Sequence, residues 1–195
     1  LAEKYRHPVL IASDAAIGQM IEAVEIPEFK EHDIDKFDWT VKGCKKGDEH
    51  RKIQNVYYTH PDYESYLLNK YTEIEETEQR YENIQVEDAE IVLVAYGISS
   101  RVCLETVEMA RSKGLKVGLI RPITLWPFPV KAFEKAGNAK LFLSVEINIL
   151  GQMTDDIRLA VNGKVPVEHY GSIFDIPESE KIIEKIEEWL KKEDM

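Results

Sequence analysis

The sequence is short of cysteine, and that shortage decides much of what it can do alone. Cys44 and Cys103 are its two cysteines, far apart and without a Cys-x-x-Cys partner, so neither a disulfide framework nor a tetrathiolate cluster can be built from this chain. The dinucleotide signature Gly-x-Gly-x-x-Gly is absent, which argues against a nicotinamide or flavin here. No serine, cysteine or histidine stands in a recognisable nucleophile motif, and His7, His32, His50, His60 and His169 lack zinc-ligand spacing. No catalytic, cofactor-binding or metal-binding residue is therefore expected.

Positive charge is outnumbered, with 25 Lys and Arg against 36 Asp and Glu. A formal net charge of −11 and a pI near 5.0 argue against nucleic acid as a primary partner. No run of about 18 apolar residues could span a bilayer. The start, Leu1-Ala-Glu-Lys-Tyr-Arg-His-Pro, lacks the apolar core of a signal peptide. The expectation is an acidic cytoplasmic protein with no membrane partner.

What is present is an α/β pattern. Ile91-Val-Leu-Val-Ala and Lys116-Val-Gly-Leu-Ile are continuous apolar strands flanking a helical segment that opens after Gly97-Ile-Ser-Ser, as in a right-handed βαβ unit. Strands are expected at about 90–97, 116–121, 140–147 and 165–170, with helices at about 100–113, 129–136, 152–161 and 178–192. Strands apolar throughout belong to a sheet covered on both faces, so the fold class is a doubly wound, mostly parallel sheet. The last helix places Ile182, Ile183, Ile186, Trp189 and Leu190 on one face and should close the domain.

The N-terminal half is less regular. Pro8–Ala12 reads as a buried strand, with Ser13-Asp14 capping a helix Ala15–Glu22. From Ile26 to about Asp88 lies a charged connector, with short strands expected at Trp39–Lys42 and Asn55–Tyr58 and a long helix from Asp62 to Tyr81. The aromatic stripe of that helix fits docking on a domain surface. The expected division is 1–26, 27–88 and 89–195.

Candidate site residues lie where open α/β sheets bind ligands, beyond the strand carboxyl ends. Ser99 and Ser100, with Arg101 close by, could hold a phosphate or carboxylate at a helix start, or Ser99 could simply cap the helix. Glu146, Asn148 and Gln152 could converge on a ligand, or fix loops at an interface. Trp126 and Phe128, between Pro122, Pro127 and Pro129, could form a rigid subunit contact or a covered crossover. His169 reads as a structural histidine.

Val94-Ala-Tyr-Gly-Ile-Ser-Ser-Arg101, Gly118-Leu-Ile-Arg-Pro-Ile-Thr-Leu-Trp-Pro-Phe-Pro129, Asp38-Trp-Thr-Val-Lys-Gly43 and Asp155-Asp-Ile-Arg-Leu-Ala-Val-Asn-Gly163 resemble the α subunit of 2-oxoacid:ferredoxin oxidoreductases. The likeness is strongest to the branched-chain, 2-oxoisovalerate type, with the 2-oxoglutarate type second. It implies that residues 89–195 are a transketolase C-terminal-like domain and that residues 1–26 are the end of a truncated thiamine pyrimidine-binding domain. It also implies a complex that oxidatively decarboxylates a 2-oxoacid onto coenzyme A, with thiamine diphosphate, magnesium and iron–sulfur clusters elsewhere in the assembly. The implied partners are a thiamine-binding β subunit, γ and δ subunits, and ferredoxin as electron acceptor; a homodimer is a further alternative. The Gly-Asp-Gly…Asn diphosphate motif is missing, so the chain alone should be inactive and serve as a structural, subunit-organising part. The competing expectation is a free-standing small-anion-binding or regulatory module.

Overall fold

A computed structural model describes residues 1–31, 33–37, 39–50 and 60–193. The chain forms two compact units, one of Leu1–Met20 with Thr72–Met195 and one of Ile21–Tyr71. In chain order the elements are α1 (Ala2–Tyr5), α2 (Ala15–Gln19), α3 (Tyr63–Thr77), β1 (Tyr81–Ile84), β2 (Ile91–Val94), α4 (Gly97–Ser112), β3 (Val117–Pro122), a 3-10 helix (Val130–Lys135), β4 (Leu141–Glu146), α5 (Gln152–Val161), β5 (Val167–Gly171) and α6 (Ser179–Glu193).

The five strands form one sheet in the order β1-β3-β2-β4-β5. All neighbours run parallel except β1, which lies antiparallel to β3 on the edge. The doubly wound expectation holds. Its cause is visible in the register: Leu93 sits level with Leu119 and Leu143, and Val92 with Phe142. Because strand side chains alternate faces, the leucine row points one way and the valine–phenylalanine row the other.

The leucine face packs on Cys103, Val107 and Ala110 of α4 and on Ile182, Ile183, Ile186 and Trp189 of α6. The opposite face packs on Ala132 of the 3-10 helix and on Met153, Ile157 and Val161 of α5. Both sides of the sheet are thus dry, which is why its central strands carry no polar alternation.

Several expectations need correction. Residues 8–12 are not a buried strand: they are irregular, and Leu10 and Ile11 are 95% and 94% exposed. Apolar composition does not make a strand without a ladder partner for its backbone groups. No strand forms at 39–42, and 55–58 lies outside the described residues. The helix after Asp14 ends at Gln19, and the long helix ends at Thr77, so that Tyr81–Ile84 becomes the edge strand β1. Between Pro129 and Ala136 the chain takes a 3-10 rather than an α conformation.

Candidate functional site

The topology places a switch point between β2 and β4. The chain leaving β2 enters α4 on one face and the chain leaving β4 enters α5 on the other, opening the crevice where such folds bind ligands. The residues that fill it come from the sheet ends and from the N-terminal segment.

Asp14 supplies the first half. Its Oδ1 accepts from the Ile17 amide at 2.8 Å, capping α2, and its Oδ2 accepts from the Ile98 amide at 2.8 Å, in the first turn of α4. One carboxylate thereby satisfies an orphan donor on each of two helices, and the dipole of each favours its charge. Gly97 makes the approach feasible. Its φ is +59°, and a Cβ on it would collide with Asp14 Oδ2.

The serines of this turn point inward. Ser99 and Ser100 are buried, and Ser100 Oγ donates to the Gly97 carbonyl at 2.7 Å. Ser99 is not the cap either; the N-cap position is Tyr96, whose side chain makes no capping bond. Arg101 is exposed on α4. The N-terminal amide that could have received an external anion is taken by Asp14.

Glu146 supplies the second half, buried at the end of β4. It accepts hydrogen bonds from Ser144 Oγ, from Asn148 Nδ2 at 2.7 Å, from the Met153 amide at 3.1 Å and from Thr154 Oγ1 at 3.4 Å. Burial pushes its carboxyl up, but these donors and the nearby His169 outweigh that, and the net direction is down. Glu146 is an anion at neutral pH.

Asn148 extends the network. Its Oδ1 accepts from the Leu150 and Gly151 amides at 3.0 and 2.6 Å, closing the turn that leads into α5. His169 Nε2 lies 3.0 Å from the Asn148 carbonyl. A carbonyl only accepts, so in the neutral ring Nε2 carries the proton. Nδ1 is then buried without a hydrogen-bond partner, 3.8 Å from Glu146 Oε1.

Glu146 and Asn148 therefore come together, with His169 as a third member that sequence reasoning set aside. Gln152 does not join them; it is exposed at the start of α5. The crevice is electrically negative. Burial, then Glu146 and Asp14, hold the Tyr96 hydroxyl above its usual range, and burial with Asp155 and Glu146 raises Asp156. Such a place repels anions.

The proline-bounded loop splits its two aromatics. Phe128 is half-buried against Phe133, centroids 5.9 Å apart, and Phe133 continues to Phe142 at 5.1 Å. It belongs to the core rather than to a presented wedge. Trp126 is 53% exposed, with the His7 ring 6.2 Å away. The loops after β4 and β5 add Ile149, Leu150 and Phe174, the last 92% exposed. The strand ends thus carry an apolar rim beside the Glu146–Asn148–His169 network, in which His169 Nδ1 alone lacks a partner among the described residues. Sequence reasoning missed Phe174, although two bulky apolar residues in Gly171-Ser-Ile-Phe-Asp were a legible signal.

Residues 89–175 match the family described as pyruvate:ferredoxin oxidoreductase core domain II. A ketoisovalerate oxidoreductase subunit, VorB of Methanothermobacter marburgensis, is 46% identical over 164 residues, 82% of this chain and 46% of the relative. These matches support a subunit of the 2-oxoacid:ferredoxin oxidoreductase family. A 2-oxoglutarate synthase subunit, KorA of the same organism, is 30% identical over 95% of the chain and 57% of the relative. These are the two types whose motifs the sequence resembles. The chain spans about half the length of these curated relatives. A solved 2-oxoglutarate:ferredoxin oxidoreductase from Magnetococcus marinus superposes with a TM-score of 0.56 at 24% identity, over 66% of this chain and 23% of that one, a likeness of fold.

The described residues at the β2–β4 switch point do not fit thiamine diphosphate and magnesium. Among the described residues no group of three His, Cys, Asp or Glu side chains could hold a metal ion. At the crevice the Ile98 amide is committed to Asp14, and the carboxylates there would oppose a diphosphate.

Proposed function

We propose that this chain is part of the α subunit of a 2-oxoacid:ferredoxin oxidoreductase acting on 2-oxoisovalerate, in which it organises subunit contacts and leaves the chemistry to other domains. The reaction of the whole complex would convert 2-oxoacid, coenzyme A and oxidised ferredoxin to acyl-coenzyme A, carbon dioxide and reduced ferredoxin. The observation that carries this reading is the 46% identity to a ketoisovalerate oxidoreductase subunit across 82% of the chain. The apolar rim at the strand ends supports a contact role, because rigid aromatic and aliphatic residues concentrate at interface cores.

The expected partners are the thiamine-binding β subunit, the γ and δ subunits that hold iron–sulfur clusters, and ferredoxin. Among the described residues no helix is long and apolar enough to cross a membrane, which agrees with work in the cytoplasm. A free-standing anion-binding module is disfavoured by the Asp14 carboxylate at the start of α4.

Anaerobic co-expression with the β, γ and δ subunits of a 2-oxoisovalerate-type complex tests the proposal. The chain should co-purify in stoichiometric amount, and the complex should reduce a viologen dye with 2-oxoisovalerate and coenzyme A faster than with 2-oxoglutarate. A chain that stays apart from an active complex would sink the assignment.

A further inference from the structure

Residues 1–20 are attached to the α/β body in an unusual way. Their helix α2 has five residues and buries none of them, far too short to persist alone. Between α1 and α2 the side chains of Leu10 and Ile11 stand in solvent. Apolar packing of Ala15–Gln19 is limited to the half-buried Ala16 and Ile17, too little to hold the segment by itself. The polar anchors of residues 1–20 act at two points, one on α1 and one at the cap of α2.

The first point is Glu78, which follows α3. Tyr5 Oη donates to its Oε1 at 2.7 Å, and Lys4 Nζ reaches the same oxygen at 2.8 Å. The second is Asp14, whose two oxygens each take one amide, Ile17 on the segment itself and Ile98 on α4. Gly97 shows that the fit is close, since any side chain there would displace Asp14 Oδ2.

We infer that Ser13–Gln19 is a strap across the β2–β4 switch point and that Asp14 is its catch, so that the strap and the first turn of α4 open and close together. A movement imposed on the exposed segment Pro8–Ala12 then reaches the sheet's carboxyl end through one carboxylate. The inference rests on this chain's own contacts and stands or falls independently of the proposed reaction.

The arithmetic of acceptors gives a sharp test. Aspartate offers two equivalent oxygens and asparagine one. In the full chain, Asp14→Ala should lower the NMR order parameters of Ala15–Gln19 to the flexible range, below about 0.6, and raise amide exchange at Ile98 at least tenfold. Leu93 and Leu143 should be unaffected. Asp14→Asn should keep one of the two bonds and lose the other. Gly97→Ala should free Ile98 while leaving the bond within the strap, Ile17 to Asp14, in place. A strap as rigid in Asp14→Ala as in the parent chain would overturn the inference. So would unchanged exchange at Ile98. If Asp14→Ala loosens the whole fold, Asp14→Asn decides: retention of both protections refutes the catch, and loss of either supports it.

Discussion

Glu146 and Asn148 are joined by a 2.7 Å hydrogen bond from Nδ2 to Oε2, and through it a buried carboxylate at the end of β4 sets the backbone of the loop that follows. Asn148 uses its other side-chain atom to hold the Leu150 and Gly151 amides. Asn148→Ala removes both arms and leaves Glu146 with a donor missing in a dry site. The expected cost is about 1–3 kcal/mol, read from urea unfolding, with faster exchange confined to 147–152. A neutral result would mean that water replaces the amide at no cost.

The same carboxylate predicts a pH dependence. The folded Glu146 carboxyl lies below its usual value, so its contribution is present above the unfolded value and is lost as pH falls through the folded one. Glu146→Gln should be less stable than the parent at pH 7, and the gap should narrow in acid. A gap that widens in acid would reverse the assigned sign.

The sequence made the sheet legible because its strands are apolar in register and bounded by turns. Ile91–Val94 and Leu141–Glu146 could be read as covered strands without a partner in view. Tyr81–Ile84 could not, because an edge strand buries little and its Tyr-Glu-Asn-Ile pattern continues the preceding helix just as well. The candidate site was legible only as a location. Glu146 and Asn148 are two residues apart and were found together. Asp14 was read as the cap of its own helix, which it is, but its second bond spans 84 residues and no local pattern encodes it. Ser99 and Ser100 misled for the converse reason: their types suit an anion site, and tertiary packing turned them inward.

A second pH effect belongs to the N-terminal anchor. Hydrogen bonds from Lys4 and Tyr5 hold the Glu78 carboxyl down at about 2, from an ordinary 4.5. Its stabilisation is therefore complete above about 4.5 and fades as pH falls toward about 2. Tyr5→Phe removes one buried donor to that carboxylate and should cost about 1–2 kcal/mol at pH 7. The difference should shrink below pH 4. An equal penalty at pH 7 and pH 2 would show that Tyr5 acts through packing instead.

Gly118 predicts a core requirement on β3. A Cβ there would lie 2.6 Å from the Gln85 carbonyl and 3.0 Å from Val86 Cα, both backbone atoms that cannot swing aside. Gly118→Ala should destabilise by about 1–3 kcal/mol through overpacking, whereas Gly137→Ala, with nothing within 4 Å, should change stability by less than about 0.5 kcal/mol. Equal effects at the two positions would show that the turn between β1 and β2 yields freely.

Trp126 separates assembly from chemistry. It is 53% exposed, so Trp126→Ala should leave the stability of the isolated chain within about 1 kcal/mol. Its loss should be felt on association, by about 1–3 kcal/mol if it anchors a subunit contact. Leu150→Ser, on the same rim and 81% exposed, should behave alike, whereas Leu68→Ser, an exposed apolar residue on α3, should not. Turnover per assembled complex should stay near that of the parent in all three, because Trp126, Leu150 and Leu68 carry no acid, base or nucleophile and the Glu146 carboxylate behind the rim is held by donors within the chain. Analytical ultracentrifugation with the partner subunits measures the first quantity, and anaerobic assays normalised to assembled complex measure the second. A Trp126→Ala complex that assembles with full affinity yet turns over tenfold more slowly would move the rim from subunit contact to the reaction itself.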